Sequence, residues 1–63
     1  MKIIKLHDKN NPERIIPFDA ADFSMAVPML GGSALRLKSS DSLTQVLETP
    51  EEILDLLASA GAL

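Results

Sequence analysis

Apolar and polar positions alternate along most of the chain and then switch to helical spacing near its end, a pattern that predicts strands followed by one helix. Residues 2–7 read as a first strand, with Ile4 and Leu6 on one face and Lys5 and His7 on the other. The turn residues Asp8-Lys9-Asn10-Asn11-Pro12 stop it. Residues 14–18 form a second strand, paired with the first as a hairpin, and Pro17 places its missing N–H at an edge or a bulge. Asp19 to Asp22 make a short turn that Asp19 can start as a single helical turn. In residues 23–29, Phe23, Met25, Val27 and Met29 recur at spacing two, which predicts a third strand with those four on its buried face. Gly31-Gly32 signals a hairpin turn, because glycine enters positive φ without steric cost. Residues 33–38 are a fourth strand with Leu35 and Leu37 inward and Arg36 and Lys38 in water. After the turn Ser39-Ser40-Asp41-Ser42, residues 43–48 read as a fifth strand, whose register stays open because Leu43, Val46 and Leu47 do not share a face.

The start of the helix is the clearest local signal. Thr49 suits the N-cap, Pro50 the first helical position, and Glu52 the reciprocal position of a capping box. The helix is expected over residues 50–59, with Ile53, Leu56, Leu57 and Ala60 on its apolar stripe and Gly61 stopping it. The fold class is therefore α+β: a single domain over residues 1–63, a small antiparallel β-meander of four to five strands followed by one C-terminal helix.

Composition adds a constraint on stability. Sixty-three residues are near the size at which one hydrophobic core barely offsets the entropy of ordering the chain. Without cysteine there is no disulfide, and a lone histidine cannot build an ordinary structural zinc site. Association with another chain is the remedy left, and a homo-oligomer is expected, a dimer in preference to a ring. No apolar run is long enough to span a membrane and the amino terminus lacks a signal-peptide core, so a cytoplasmic protein without membrane insertion is expected.

The charge of −3 is unevenly distributed. Residues 1–14 carry four cations against two carboxylates, a balance of +2, whereas residues 15–63 carry Arg36 and Lys38 against seven, a balance of −5. This argues against strong non-specific phosphate binding. The rival to a protein-interaction module is nevertheless a nucleic-acid-binding one, in which Lys2, Lys5, Lys9, Arg14, Arg36 and Lys38 are gathered into a basic strip.

Ile3-Ile4-Lys5-Leu6, Ile16-Pro17-Phe18-Asp19, Ala34-Leu35-Arg36-Leu37 and, most closely, Val46-Leu47-Glu48-Thr49-Pro50-Glu51-Glu52-Ile53-Leu54 follow in an order that resembles the small FlbD/SwrD-type proteins associated with bacterial flagella and swarming. The likeness spans nearly the whole chain, although Gly31-Gly32 precedes the Ala34–Lys38 strand where that family's turn glycine usually follows it. What the resemblance implies is shape: its motifs are structural, and the family has no established catalytic residues to carry over. Phage-encoded and mobile-element proteins share the same outline. Weaker likenesses are to the strand core of LytTR-type DNA-binding domains, which are longer and more basic, and to Sm-like rings, whose helix lies at the other end.

The side chains offer little chemistry. His7 is the natural general acid/base or pH sensor, but no nucleophile or second partner can be placed beside it, and a solvated strand-end histidine is the reading adopted. Asp19, Asp22 and Asp41 lack the ligand number and turn glycine of a calcium loop. Glu48, Glu51, Glu52 and Asp55 could attract a basic partner, but a helix amino end favours acidic residues for its own sake. Gly31-Gly32 lacks the features of a phosphate loop, and the serines have no triad context. Phe18 and Phe23 could stack on bases but are read as core. No catalytic, cofactor-binding or metal-binding residue is assigned, no cofactor is expected, and the protein is read as a non-enzyme.

Overall fold

The computed structural model describes residues 2–62. Among these residues the chain forms β1 (Ile3–His7), β2 (Ile15–Asp19), a single 3-10 turn (Ala20–Asp22), β3 (Phe23–Met29), β4 (Gly32–Leu37), β5 (Thr44–Val46) and α1 (Pro50–Ser59). The α+β meander with a C-terminal helix is thus present, and the helix has the expected bounds. Its five strands are divided between two antiparallel sheets, the hairpin β1-β2 and the meander β3-β4-β5. A bridge between Asp8 and Val46 stitches them together, flanked by Lys9 N–H to the Gln45 carbonyl (3.2 Å) and Leu47 N–H to the His7 carbonyl (2.9 Å).

β1 alternates strictly between buried and exposed residues, whereas β4 is buried continuously over Gly32–Leu35. Ile4 and Leu6 of β1, Phe18 of β2, Leu35 of β4 and Val46 of β5 are buried together with Ala20, and Ile53 and Leu57 of α1 cover them. Phe23 packs against this cluster, its ring centroid 6.5 Å from that of Phe18. Both phenylalanines are therefore spent on the core.

The third strand departs from expectation. Phe23 pairs with Leu37, but Met25 pairs with the next residue, Arg36, so Ser24 is an extra residue in a β-bulge. The bulge reverses the alternation. Ala26, opposite the buried Leu35, takes the inner position, and Met25, Val27 and Met29 move to the outer face with exposures of 45, 37 and 40%. Nothing in a strict period of two reveals an added residue, and this is why the sequence pattern assigned those three to the core.

Two smaller corrections concern the end of the chain. The fifth strand covers Thr44–Val46 alone; Val46 is fully buried, while Leu43 and Leu47 are exposed. On the helix Ile53 and Leu57 are buried and Ala60 packs on the core, but Leu56 is 39% exposed, because one helix over so small a core buries a narrower stripe than its sequence offers.

Both helix ends follow their sequence signals. Thr49 Oγ1 accepts the Glu52 N–H at 3.2 Å, and Glu52 Oε1 accepts the Thr49 N–H at 3.2 Å, a complete capping box. At the other end Gly61 has φ +76°, with Gly61 N–H bonded to the Ala58 carbonyl and Ala62 N–H to that of Leu57, the paired bonds of a Schellman stop. Asp19 caps the 3-10 turn by accepting the Ala21 N–H at 3.0 Å. Thr49→Ala should cost about 0.5–2 kcal/mol, the usual worth of an N-cap. Chemical denaturation checks this value, and an unchanged midpoint would mean that the cap contributes nothing.

Candidate functional site

The polar chemistry of the molecule collects where β1 runs beside α1. Lys2 Nζ donates to the Gly61 carbonyl at 2.9 Å, so the C-terminal end of the helix sits by the start of β1. At the other end of β1, Glu48 precedes the helix cap and reaches His7. An open groove of about 410 Å³ lies between, with Lys5, His7 and Glu48 on one side and Glu52, Asp55 and Leu56 on the other.

His7 and Glu48 are joined twice. The His7 backbone N–H donates to Glu48 Oε1 at 3.0 Å, and the imidazole Nδ1 lies 2.6 Å from Oε2. The reason lies in strand alternation. Asp8 N–H bonds the Arg14 carbonyl and Ala20 N–H that of Lys2, so the even-numbered residues of β1 exchange bonds with β2 and the odd-numbered ones turn their backbone groups away. The His7 carbonyl finds Leu47 N–H; its N–H, beyond the last ladder bond, finds the Glu48 carboxylate instead. Glu48 thus ends the ladder between the two sheets with a side chain. Its own carbonyl accepts a 2.6 Å bond from Ser33 Oγ, and Ser33 is fully buried.

Burial pushes the Glu48 carboxyl up, but the His7 N–H, the imidazole and its own backbone N–H outweigh it and hold the group below the usual carboxylate range. A depressed carboxyl stabilises the fold above its unfolded pKa and loses that contribution as pH falls through its lower folded value. Glu48→Gln should therefore be less stable than the parent by about 1 kcal/mol at neutral pH. The gap should narrow as the pH falls through the ordinary carboxylate range and below it, where the parent's carboxylate becomes protonated. Urea titrations across this range test the sign; a gap that widens in acid would contradict it.

The pair gives His7 the partner that sequence reasoning could not place, since Glu48 stands 41 residues away. The only advance signal was that Glu48 immediately precedes the helix cap. Two elements of acid–base chemistry are present, a carboxylate and an imidazole it orients, but no nucleophilic side chain among the described residues hydrogen-bonds the ring. No group of three or more His, Asp or Glu side chains among the described residues could hold a metal ion.

The six cations take up separate duties. Lys2 holds Gly61, Lys9 Nζ donates to the Leu30 carbonyl at 2.7 Å, and Arg14 lies 3.7 Å from Asp8. Lys5 lines the acidic groove, while Arg36 lies opposite Met25 on the outer face of β4 and Lys38 follows that strand. Asp19 caps its turn and Asp22 accepts bonds from Ser39, so both are engaged in local structure. Among the described residues no helix is long and apolar enough to cross a membrane. No family profile, no curated protein and no solved structure matches this chain.

Proposed function

We propose that the protein is a non-enzymatic interaction module of the cytoplasm that self-associates, as a dimer in preference to a ring, and holds a protein partner. The observation that carries this reading is the row Met25, Val27 and Met29 along the outer face of β3, continued by Leu30 at the hairpin tip, which is 95% exposed. Contiguous apolar surface of this kind is what soluble proteins use to meet other proteins. Methionine suits the role because its flexible thioether adapts to different neighbours.

The edges of the sheets argue for contact through this face. The Gln45 carbonyl accepts Lys9 N–H, so Gln45 turns its backbone away from β4 and the bonded pair between β4 and β5 is Ser33–Val46. Ser33 then turns away from β3, and its opposite residue there, Pro28, has its nitrogen on the open edge. Pro17, opposite Lys5, does the same on the open edge of β2. Both terminal strands carry a residue that cannot donate to an added strand, a common guard against edge-to-edge pairing. The resemblance to FlbD/SwrD-type proteins also supports a role without chemistry of its own.

Charge on the outer face should abolish self-association. Sedimentation at low micromolar concentration should give a dimer for the parent chain and a folded monomer for the double variant Met25→Lys, Met29→Lys. A parent that sediments as a compact, thermally stable monomer would overturn self-association.

A further inference from the structure

We propose that the groove between β1 and α1 receives an extended segment of a protein partner, added as a strand to β1 and anchored by a lysine or arginine against Asp55 and Glu52. This rests on the reading of the chain as an interaction module, but it uses a different surface from the self-association face.

The first argument is the backbone. The alternation that turns His7 away from β2 also turns away Ile3 and Lys5. β5 reaches only the end of β1, at the bridge of Val46 to Asp8, and after Leu47 the chain leaves for the helix. The N–H and C=O groups of Ile3 and Lys5 therefore have no partner among the described residues. Unlike the outer edges of β2 and β3, this stretch contains no proline. Two residues with one donor and one acceptor each can form up to four main-chain bonds to an incoming strand.

Charge selects the occupant. The groove sets Glu48, Glu52 and Asp55 against the Lys5 ammonium, three carboxylates to one cation, a net −2 with His7 neutral. Glu48 is occupied by His7, and Glu52 uses Oε1 in the capping box, whereas Asp55 has no ion pair among the described residues. Such a site repels phosphate and favours a basic side chain, so a peptide is the occupant that fits. Leu56, the helix residue left 39% exposed, supplies the apolar wall that the neighbouring side chain of an extended peptide needs.

The test uses a short blocked peptide alternating valine and lysine, added to the full chain with its amides labelled. The Ile3 and Lys5 amides should shift and exchange with solvent at least tenfold more slowly. Asp55→Lys should weaken binding at least tenfold, and a glutamate-containing or backbone N-methylated peptide should have no effect. Peptide binding should persist in the Met25→Lys, Met29→Lys variant. Shifts confined to the outer face of β3, or none at low millimolar peptide, would overturn this inference while leaving self-association standing. A monomeric parent that still binds the peptide along β1 would overturn self-association alone.

Discussion

Gly32→Ala should cost about 3 kcal/mol or more, the upper range for overpacking, and leave much of the chain unfolded at room temperature. A Cβ at Gly32 would stand 2.1 Å from the Val46 carbonyl oxygen, 3.1 Å from its carbonyl carbon and 3.2 Å from the Leu47 Cα. All three are backbone atoms, so no side chain can swing aside, and Val46 itself is held in the bridge to Asp8 that stitches the sheets together. The neighbouring glycine is the control. Gly31 has φ +79°, but a Cβ there would meet only the Lys9 Cε at 3.9 Å, so Gly31→Ala should cost about 1 kcal/mol, from the left-handed backbone alone. Thermal melts of the two variants should differ widely. Equal melting temperatures would mean that β4 does not pass so close to Val46.

Leu57→Ala should cost about 2–5 kcal/mol, whereas Leu56→Ala, one position away, should cost less than about 1 kcal/mol. Leu57 is 1% exposed and joins the cluster formed by Leu6, Leu35, Val46 and Ile53; Leu56 faces the groove. For a domain of this size each kcal/mol moves the melting temperature by roughly 4–8 °C, so the Leu57 variant should lose about 10 °C or more. A core this small offers little to spare, since chains below about 70 residues rarely gain more than a few kcal/mol from one core. Equal losses for the two variants would restore the wider stripe that the sequence pattern suggests.

Where local chemistry decides the structure, the chain could be read directly. Thr49, Pro50 and Glu52 mark the helix start because capping is a matter of four consecutive residues, and Gly61 marks its end for the same reason. The buried pair Ile4 and Leu6 was legible because β1 alternates without interruption. The face of β3 was not. The bulge at Ser24 is set by how β3 meets Arg36 and Leu37 on another strand, and strict alternation of Phe23, Met25, Val27 and Met29 points the wrong way. The consequence reaches function, since three side chains that alternation places in the core become the exposed row on which the proposed self-association rests. The His7–Glu48 pair was hidden by distance along the chain, as was the bond from Ser33 to the Glu48 carbonyl. Pro17 was legible as an edge residue, while Pro28 gained that meaning only from the hydrogen-bond alternation fixed by Gln45 and Lys9.

The proposed function depends on the outer face of β3 meeting the same face of a second copy of the chain. Isotope-filtered NMR on a mixture of labelled and unlabelled chains reads this directly, through contacts between methyl groups of different molecules. The Met25, Val27 and Met29 methyls should show strong intermolecular contacts, with Leu30 beside them, and those contacts should vanish in the Met25→Lys, Met29→Lys variant. A spectrum in which these methyls contact only their own chain, at concentrations where the protein is well above micromolar, would contradict it.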